Sequence, residues 1–103
     1  MLTSGAAISA EGPVVWADMT CDYVIIQLPE ENPDEAFGLY KAKTKPMPKV
    51  GDIVEGDILA AFDVEVTEKT TGQKHSLFHW ANGKSRETLV RHSPVQCASR
   101  YKK

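Results

Sequence analysis

Between Val54 and Val66 every even position is apolar or glycine: Val54, Gly56, Ile58, Ala60, Phe62, Val64, Val66. The odd positions carry Glu55, Asp57, Asp63 and Glu65, interrupted by Leu59 and Ala61. A period of two sets one side of an extended chain in a core and the other in water, whereas a helix would scatter these residues around its axis. Gly56, on the inward row, predicts a bend or the close approach of a second backbone. Ala60–Ala61 reads as a bulge or a corner where a second strand begins. A small closed barrel requires long, bent strands of this kind.

The rest of the chain supplies partners for that strand. From Val15 to Ile25 the odd positions read Val15, Ala17, Met19, Cys21, Tyr23, Ile25, with Asp18, Thr20 and Asp22 between them. This stretch, running on to Leu28, is one long strand or two strands broken near Asp18–Asp22. Pro29–Glu35 (PEENPDE) reads as an exposed loop, Phe37–Lys43 as a short strand, and Lys45–Lys49 (KPMPK) as neither helix nor sheet interior. Lys69–Lys74 is a turn around Gly72, and His75–Ala81 the returning strand. Asn82-Gly83 is the strongest hairpin signal, since both residues tolerate the positive φ of a type I′ turn. Arg86–His92 then forms either a third strand of a meander or a short helix starting at Ser85, and Val95–Ala98 a last short strand.

These elements predict an all-β fold: a small antiparallel β-barrel or roll, in the size range of SH3-like and OB-like barrels, with five to seven strands and at most one short helix. Its 103 residues suffice for one domain. The expected organisation is a flexible N-terminal segment over 1–12, a single barrel domain over 13–99, and a basic C-terminal tail over 100–103. The stretch VGDIVEGDILAAF, residues 50–62, resembles the turn-then-strand opening of S1-type OB barrels. The aromatic RNA-contacting run of that family is missing just downstream, where Asp63-Val64-Glu65 stands. The resemblance therefore implies architecture alone.

Charge is unevenly spread. Residues 1–68 carry 13 acids against four lysines, while residues 69–103 carry eight bases against Glu87 alone. Such a basic segment attracts phosphates or an acidic partner, unless basic strands lie beside acidic ones and neutralise them within the fold. No apolar run approaches the ~20 residues of a membrane-spanning helix. Positions 1–12 show no secretory leader pattern, which leads us to expect a cytoplasmic protein. Cys21 and Cys97 fit no close Cys-x-x-Cys spacing and read as reduced, partly buried thiols.

Several constellations have residue types that could carry chemistry. His75 and His79 lie about 13 Å apart on a strand, too far to share one metal, although either could join His92 and a cysteine. Glu55, Asp57, Asp63 and Glu65 share one strand face, where neighbours about 6.6 Å apart match paired acid/base carboxylates or simply form a solvated face. There is no nucleophile elbow and no phosphate-cradling glycine loop. No cofactor, metal site or catalytic residue is assigned. A small enzyme using His75, His79 or His92 as base lacks a completed constellation.

The remaining cluster is basic and aromatic: Lys74, His75, Phe78, His79, Trp80, Lys84, Arg86, Arg91 and His92, with Arg100 beyond. Barrel proteins that bind single strands combine aromatic stacking with a cationic groove, which requires Phe78 or Trp80 to be exposed. Burial preferences favour the reverse, with Phe78 and Trp80 filling the barrel and His75 and His79 outside. The leading functional expectation is a non-enzymatic binding module. Its face of Lys74, His75, His79, Trp80, Lys84, Arg86, Arg91 and His92 would meet a nucleic acid or an acidic protein surface. The alternative is a homo-oligomeric structural or small-ligand protein with a pocket between subunits.

Overall fold

A computed structural model describes residues 10–29 and 33–91. Six strands carry the fold: β1 (Ala10–Asp18), β2 (Tyr23–Gln27), β3 (Phe37–Ala42), β4 (Ile53–Gly56), β5 (Phe62–Glu68) and β6 (Lys74–Gly83). Among the described residues one α-helix, α1 (Arg86–Arg91), follows them, and a single 3-10 turn (Pro33–Glu35) precedes β3. The strands close in the order β1-β2-β3-β6-β5-β4, and every neighbouring pair is antiparallel. Two three-stranded meanders, β1–β2–β3 and β4–β5–β6, are thus joined at both edges, by β3–β6 and by β1–β4. Among the described strands, closure leaves no unpaired sheet edge.

The barrel is filled from the inward rows. Val14, Val24, Ile26, Tyr40, Val54, Val64, Val66 and Leu77 are buried in one cluster, which also holds Met47 and Ile58. The even-position row of the sequence accounts for Val54, Val64 and Val66, but the run is not one strand. It breaks after Gly56 into a turn closed by a 2.9 Å bond from Ala60 N–H to the Asp57 carbonyl. Inside that turn Ile58 drops into the core, and the Tyr40 hydroxyl donates to its carbonyl at 2.6 Å. Gly56 serves close approach: a Cβ there would sit 2.1 Å from the Glu65 carbonyl oxygen on β5.

The stretch from Val14 to Leu28 is two strands. Asp18 makes the break, its Oδ1 accepting from the backbone of Thr20 (3.0 Å) and Cys21 (3.4 Å), with Asp22 at φ 67°. Ala10–Gly12, read with the flexible N-terminal segment, belongs to β1 and pairs with β4.

Asn82-Gly83 does not form a hairpin. Both residues continue β6, where Asn82 pairs with Gly38 and Gly83 with Phe37. Gly83 packs tightly instead: a Cβ there would lie 3.0 Å from the side chain of Leu89 on the helix. The helical reading of 86–91 is the one adopted, capped by Ser85, whose Oγ accepts from Thr88 N–H at 3.1 Å. Helix α1 covers part of the barrel's outer surface. There Tyr23, Ile25, Leu39 and Leu89 form a second small core, with Trp16, Ala81 and Val90 packed against it. Residues 92–103, including the expected last strand over Val95–Ala98 and the basic tail, lie outside the described residues.

Candidate ligand-binding face

The register of β6 is set by its partner. Val64 and Val66 point inward, and their cross-strand neighbours Leu77 and His75 therefore do so too. The even positions of β6 face outward as a consequence. This reverses the burial-based expectation: His75 is buried and His79 enters the barrel, while Trp80 lies on the outside, half exposed, and Phe78 beside it is partly buried.

Two backbone irregularities build the outer face. Tyr40 pairs with His79 but Leu39 with Ala81, so Trp80 is the extra residue of a β-bulge. Phe62, the first residue of β5, stands at φ 69°, a conformation bulky side chains rarely adopt, and is 67% exposed. The result is a continuous aromatic strip. Phe62 and Phe78 have ring centroids 6.1 Å apart, Phe78 and Trp80 5.8 Å, and Trp80 and Tyr23 6.3 Å in an edge-on arrangement. The strip runs from β5 across β6 to β2.

Cations border it. Lys41, the cross-strand partner of Phe78, holds its ammonium 5.2 Å from the Tyr23 ring centroid. Lys43 pairs with Asp63 at 2.7 Å, which offsets the carboxylate nearest the strip. Lys74 and Lys84 are exposed at opposite ends of β6. Tyr23, at the β2 end of the strip, is buried, and burial pushes its phenol above its ordinary pKa.

At the bulge the strip meets a cavity of about 270 Å³, lined by Leu59, Ala61, Phe62, His79, Trp80, Ala81 and Asn82. The His79 ring stacks on Tyr40 with centroids 4.4 Å apart. Its Nδ1 lies 2.7 Å from the Ala60 carbonyl and its Nε2 2.6 Å from Asn82 Oδ1. Beneath it, burial first and Asp57 second hold the Tyr40 phenol far above its usual range.

The expected basic face is dispersed. Lys74, Trp80 and Lys84 follow β6, His79 lines the cavity, and His75 is inside the barrel with Nδ1 2.9 Å from the Pro46 carbonyl. Arg86 and Arg91 ride on α1 beside Trp16, Glu87 and Val90, and Arg86 Nη1 donates to the Val15 carbonyl at 3.3 Å. His92 and Arg100 lie outside the described residues. Lys41, Phe62 and Asn82 are exposed on the face and Tyr23 is buried behind it, none of them marked as part of a binding surface by the sequence. Their signal is weak in one dimension, because each comes from a different strand or reaches the surface through a local break in alternation.

Glu55, Asp63 and Glu65 are exposed, and Asp57 is turned aside to accept from Glu65 N–H at 3.0 Å. Among the described residues no group of three His, Cys, Asp or Glu could hold a metal ion. One ion pair, Lys69 with Glu11 at 2.7 Å, joins the basic segment to the acidic one. Cys21 is disulfide-bonded, which corrects the expectation of a reduced thiol; the chain's other cysteine, Cys97, lies outside the described residues. No described helix is long and apolar enough to cross a membrane. Comparison of the chain with protein-family models, curated proteins and solved structures returned no match.

Proposed function

We propose that this protein is a non-enzymatic binding module whose outer aromatic strip takes single-stranded nucleic acid. The observation that carries the reading is the exposure of Phe62, turned outward by its positive φ, and of Trp80, which lies on the outward row of β6 at the bulge. Bulges and strained φ values concentrate where a side chain must be aimed at a ligand. Stacking of a base on an aromatic ring contributes about 1–3 kcal/mol, and the strip offers the exposed rings of Phe62 and Trp80 with the partly buried Phe78 between them. A strand lying along β6 would pass Lys84, Trp80, Phe78 and Lys74, with Lys41 beside it, so its phosphates would meet cations at both ends.

The test is a fluorescence-anisotropy titration with a labelled single strand and with a duplex of the same sequence. The single strand is expected to bind more tightly, with affinity falling moderately between about 50 and 200 mM salt because only a few phosphates are contacted. Trp80→Ala is expected to weaken binding about tenfold or more. Equal affinity for the duplex, or no binding at the lower salt, would overturn the reading. The same apolar exposure supports a protein interface as a second reading. A dimer at micromolar concentration that Trp80→Ala dissociates would favour that one.

A further inference from the structure

Lys41, Lys74 and Lys84 border the strip, and three further cations of the basic segment, Arg100, Lys102 and Lys103, follow Cys97 closely in sequence. We propose that a Cys21–Cys97 disulfide tethers this stretch at the β2 end of the strip as a cationic arm that takes phosphates of the bound strand, and that reduction of the bond weakens binding. The proposal rests on the single-strand reading above and adds to it a binding element and its redox control.

The tether follows from the covalent structure. The chain has two cysteines and Cys21 is disulfide-bonded, so its partner within the chain is Cys97. Cys21 sits in the turn between β1 and β2, two residues before Tyr23, and packs against the outer core to which Tyr23 belongs. Tyr23 meets Trp80 edge-on at 6.3 Å, and bridged cysteines hold their Cα atoms about 4.4–6.8 Å apart. The bond therefore fixes position 97 beside the end of the strip. The link is also within reach of the helix. Val90 of α1 packs against the same outer core as Cys21, and the steps from Arg91 to Cys97 span up to about 20 Å.

Length and charge direct the arm along the strip. Arg100 lies three residues beyond the tether and Lys103 six, giving reaches of up to about 10 and 20 Å. From Tyr23 the rings step by 6.3, 5.8 and 6.1 Å to Trp80, Phe78 and Phe62, so an arm of this length can follow a strand past each of them. The carboxylates beside the tether are already engaged. Asp18 Oδ1 accepts from the backbone of Thr20 and Cys21, and Asp22 pairs with Lys45. At the far end of the strip Asp63 pairs with Lys43. These three acids compete weakly with phosphates for the cations of the arm.

Reduction changes the tether and not the charge. A dithiol gives up two electrons and two protons and leaves as its own disulfide, while the S–S bond breaks and Cys21 and Cys97 become thiols. The arm is then attached only through Arg91, so Arg100 and Lys103 lie nine and twelve residues from their anchor instead of three and six. Effective concentration falls roughly as the −3/2 power of tether length, a loss of about three- to fivefold.

The experiment is an anisotropy titration of labelled oligo(dT) of about eight nucleotides, a length one small barrel can cover. It is run on the oxidised and the dithiothreitol-reduced forms of the wild type and of the triple variant Arg100→Gln, Lys102→Gln, Lys103→Gln. At about 50 mM salt the oxidised triple variant is expected to bind about tenfold less tightly than the oxidised wild type, with a salt slope lower by about 1–2. Reduction should weaken the wild type about three- to fivefold and leave the triple variant unchanged. An equal loss on reduction in both proteins would trace the effect to the fold and overturn the redox control. An unchanged affinity and salt slope in the oxidised triple variant, with Trp80→Ala still weakening binding, would overturn the arm and leave the aromatic strip standing. Absence of binding by the oxidised wild type would overturn both readings.

Discussion

Phe62 and His79 are cross-strand partners in the first pair of the β5–β6 ladder, yet their side chains part company. Partners in a regular antiparallel pair share a face of the sheet. Here His79 stacks on the buried Tyr40, whereas Phe62 leans against Phe78 on the outer surface. The positive φ of Phe62 is the cause, since it turns one residue out of the alternation before β5 becomes regular. The two side chains come to line the same cavity from different sides.

Relief of that strain should separate stability from binding. A bulky residue at positive φ costs about 1–2 kcal/mol, and glycine takes the same backbone freely. Phe62→Gly is therefore expected to be about 1 kcal/mol more stable than Phe62→Ala, while both lose strand binding to a similar degree. Urea unfolding and anisotropy titration on the two variants check this, and equal stability would show that the backbone there is not strained.

Tyr40 ties stability to alkaline pH. Its folded pKa is raised, chiefly by burial and then by Asp57, so the folded state holds its proton where the unfolded chain releases it. The stabilisation is complete below the unfolded pKa of about 10 and is lost as pH rises beyond it, at up to about 1.4 kcal/mol per pH unit. Tyr23, raised in the same direction, adds to the slope. Tyr40→Phe should flatten the decline above pH 10. At neutral pH it should cost about 1–3 kcal/mol by leaving the Ile58 carbonyl without its donor.

Two glycine replacements should differ widely. Gly56→Ala would drive a Cβ to 2.1 Å from a backbone oxygen of β5, so β4 and β5 must separate. A loss of more than about 3 kcal/mol is expected, among the larger single-residue effects. Gly72 stands at φ 79° with nothing within 4 Å of its position, and Gly72→Ala should cost only about 1 kcal/mol. Thermal melts of both variants provide the comparison, and a mild Gly56→Ala would contradict the close packing of the two strands.

Cys21 should resist thiol reagents. Unfolded in denaturant without reductant, the protein is expected to show no reactive thiol at this position, and labelling should appear only after reduction. Cys21→Ser is expected to lower stability by about 2–5 kcal/mol, as removal of a native disulfide does in small domains. Peptide mapping after alkylation distinguishes the outcomes.

Read alone, the chain specifies the class of fold and much of its inner surface. The alternation through Val54, Val64 and Val66 and the turn at Gly72 are local patterns that survive in the folded protein, whereas the choice between helix and strand after Ser85 is open in the sequence. Which side of β6 faces inward is not local. Residues 75–80 carry large side chains on both faces, and only pairing with Val64 and Val66 selects Leu77 and the histidines for the interior. Asn82-Gly83 has turn chemistry, but continued pairing with β3 and the approach of Leu89 hold it in a strand. The bulge at Trp80 exists only relative to a partner strand, because it is a mismatch in the number of residues between two ladders. Closure of the barrel decided the face that meets solvent, since register and bulges are properties of pairs of strands rather than of any one of them.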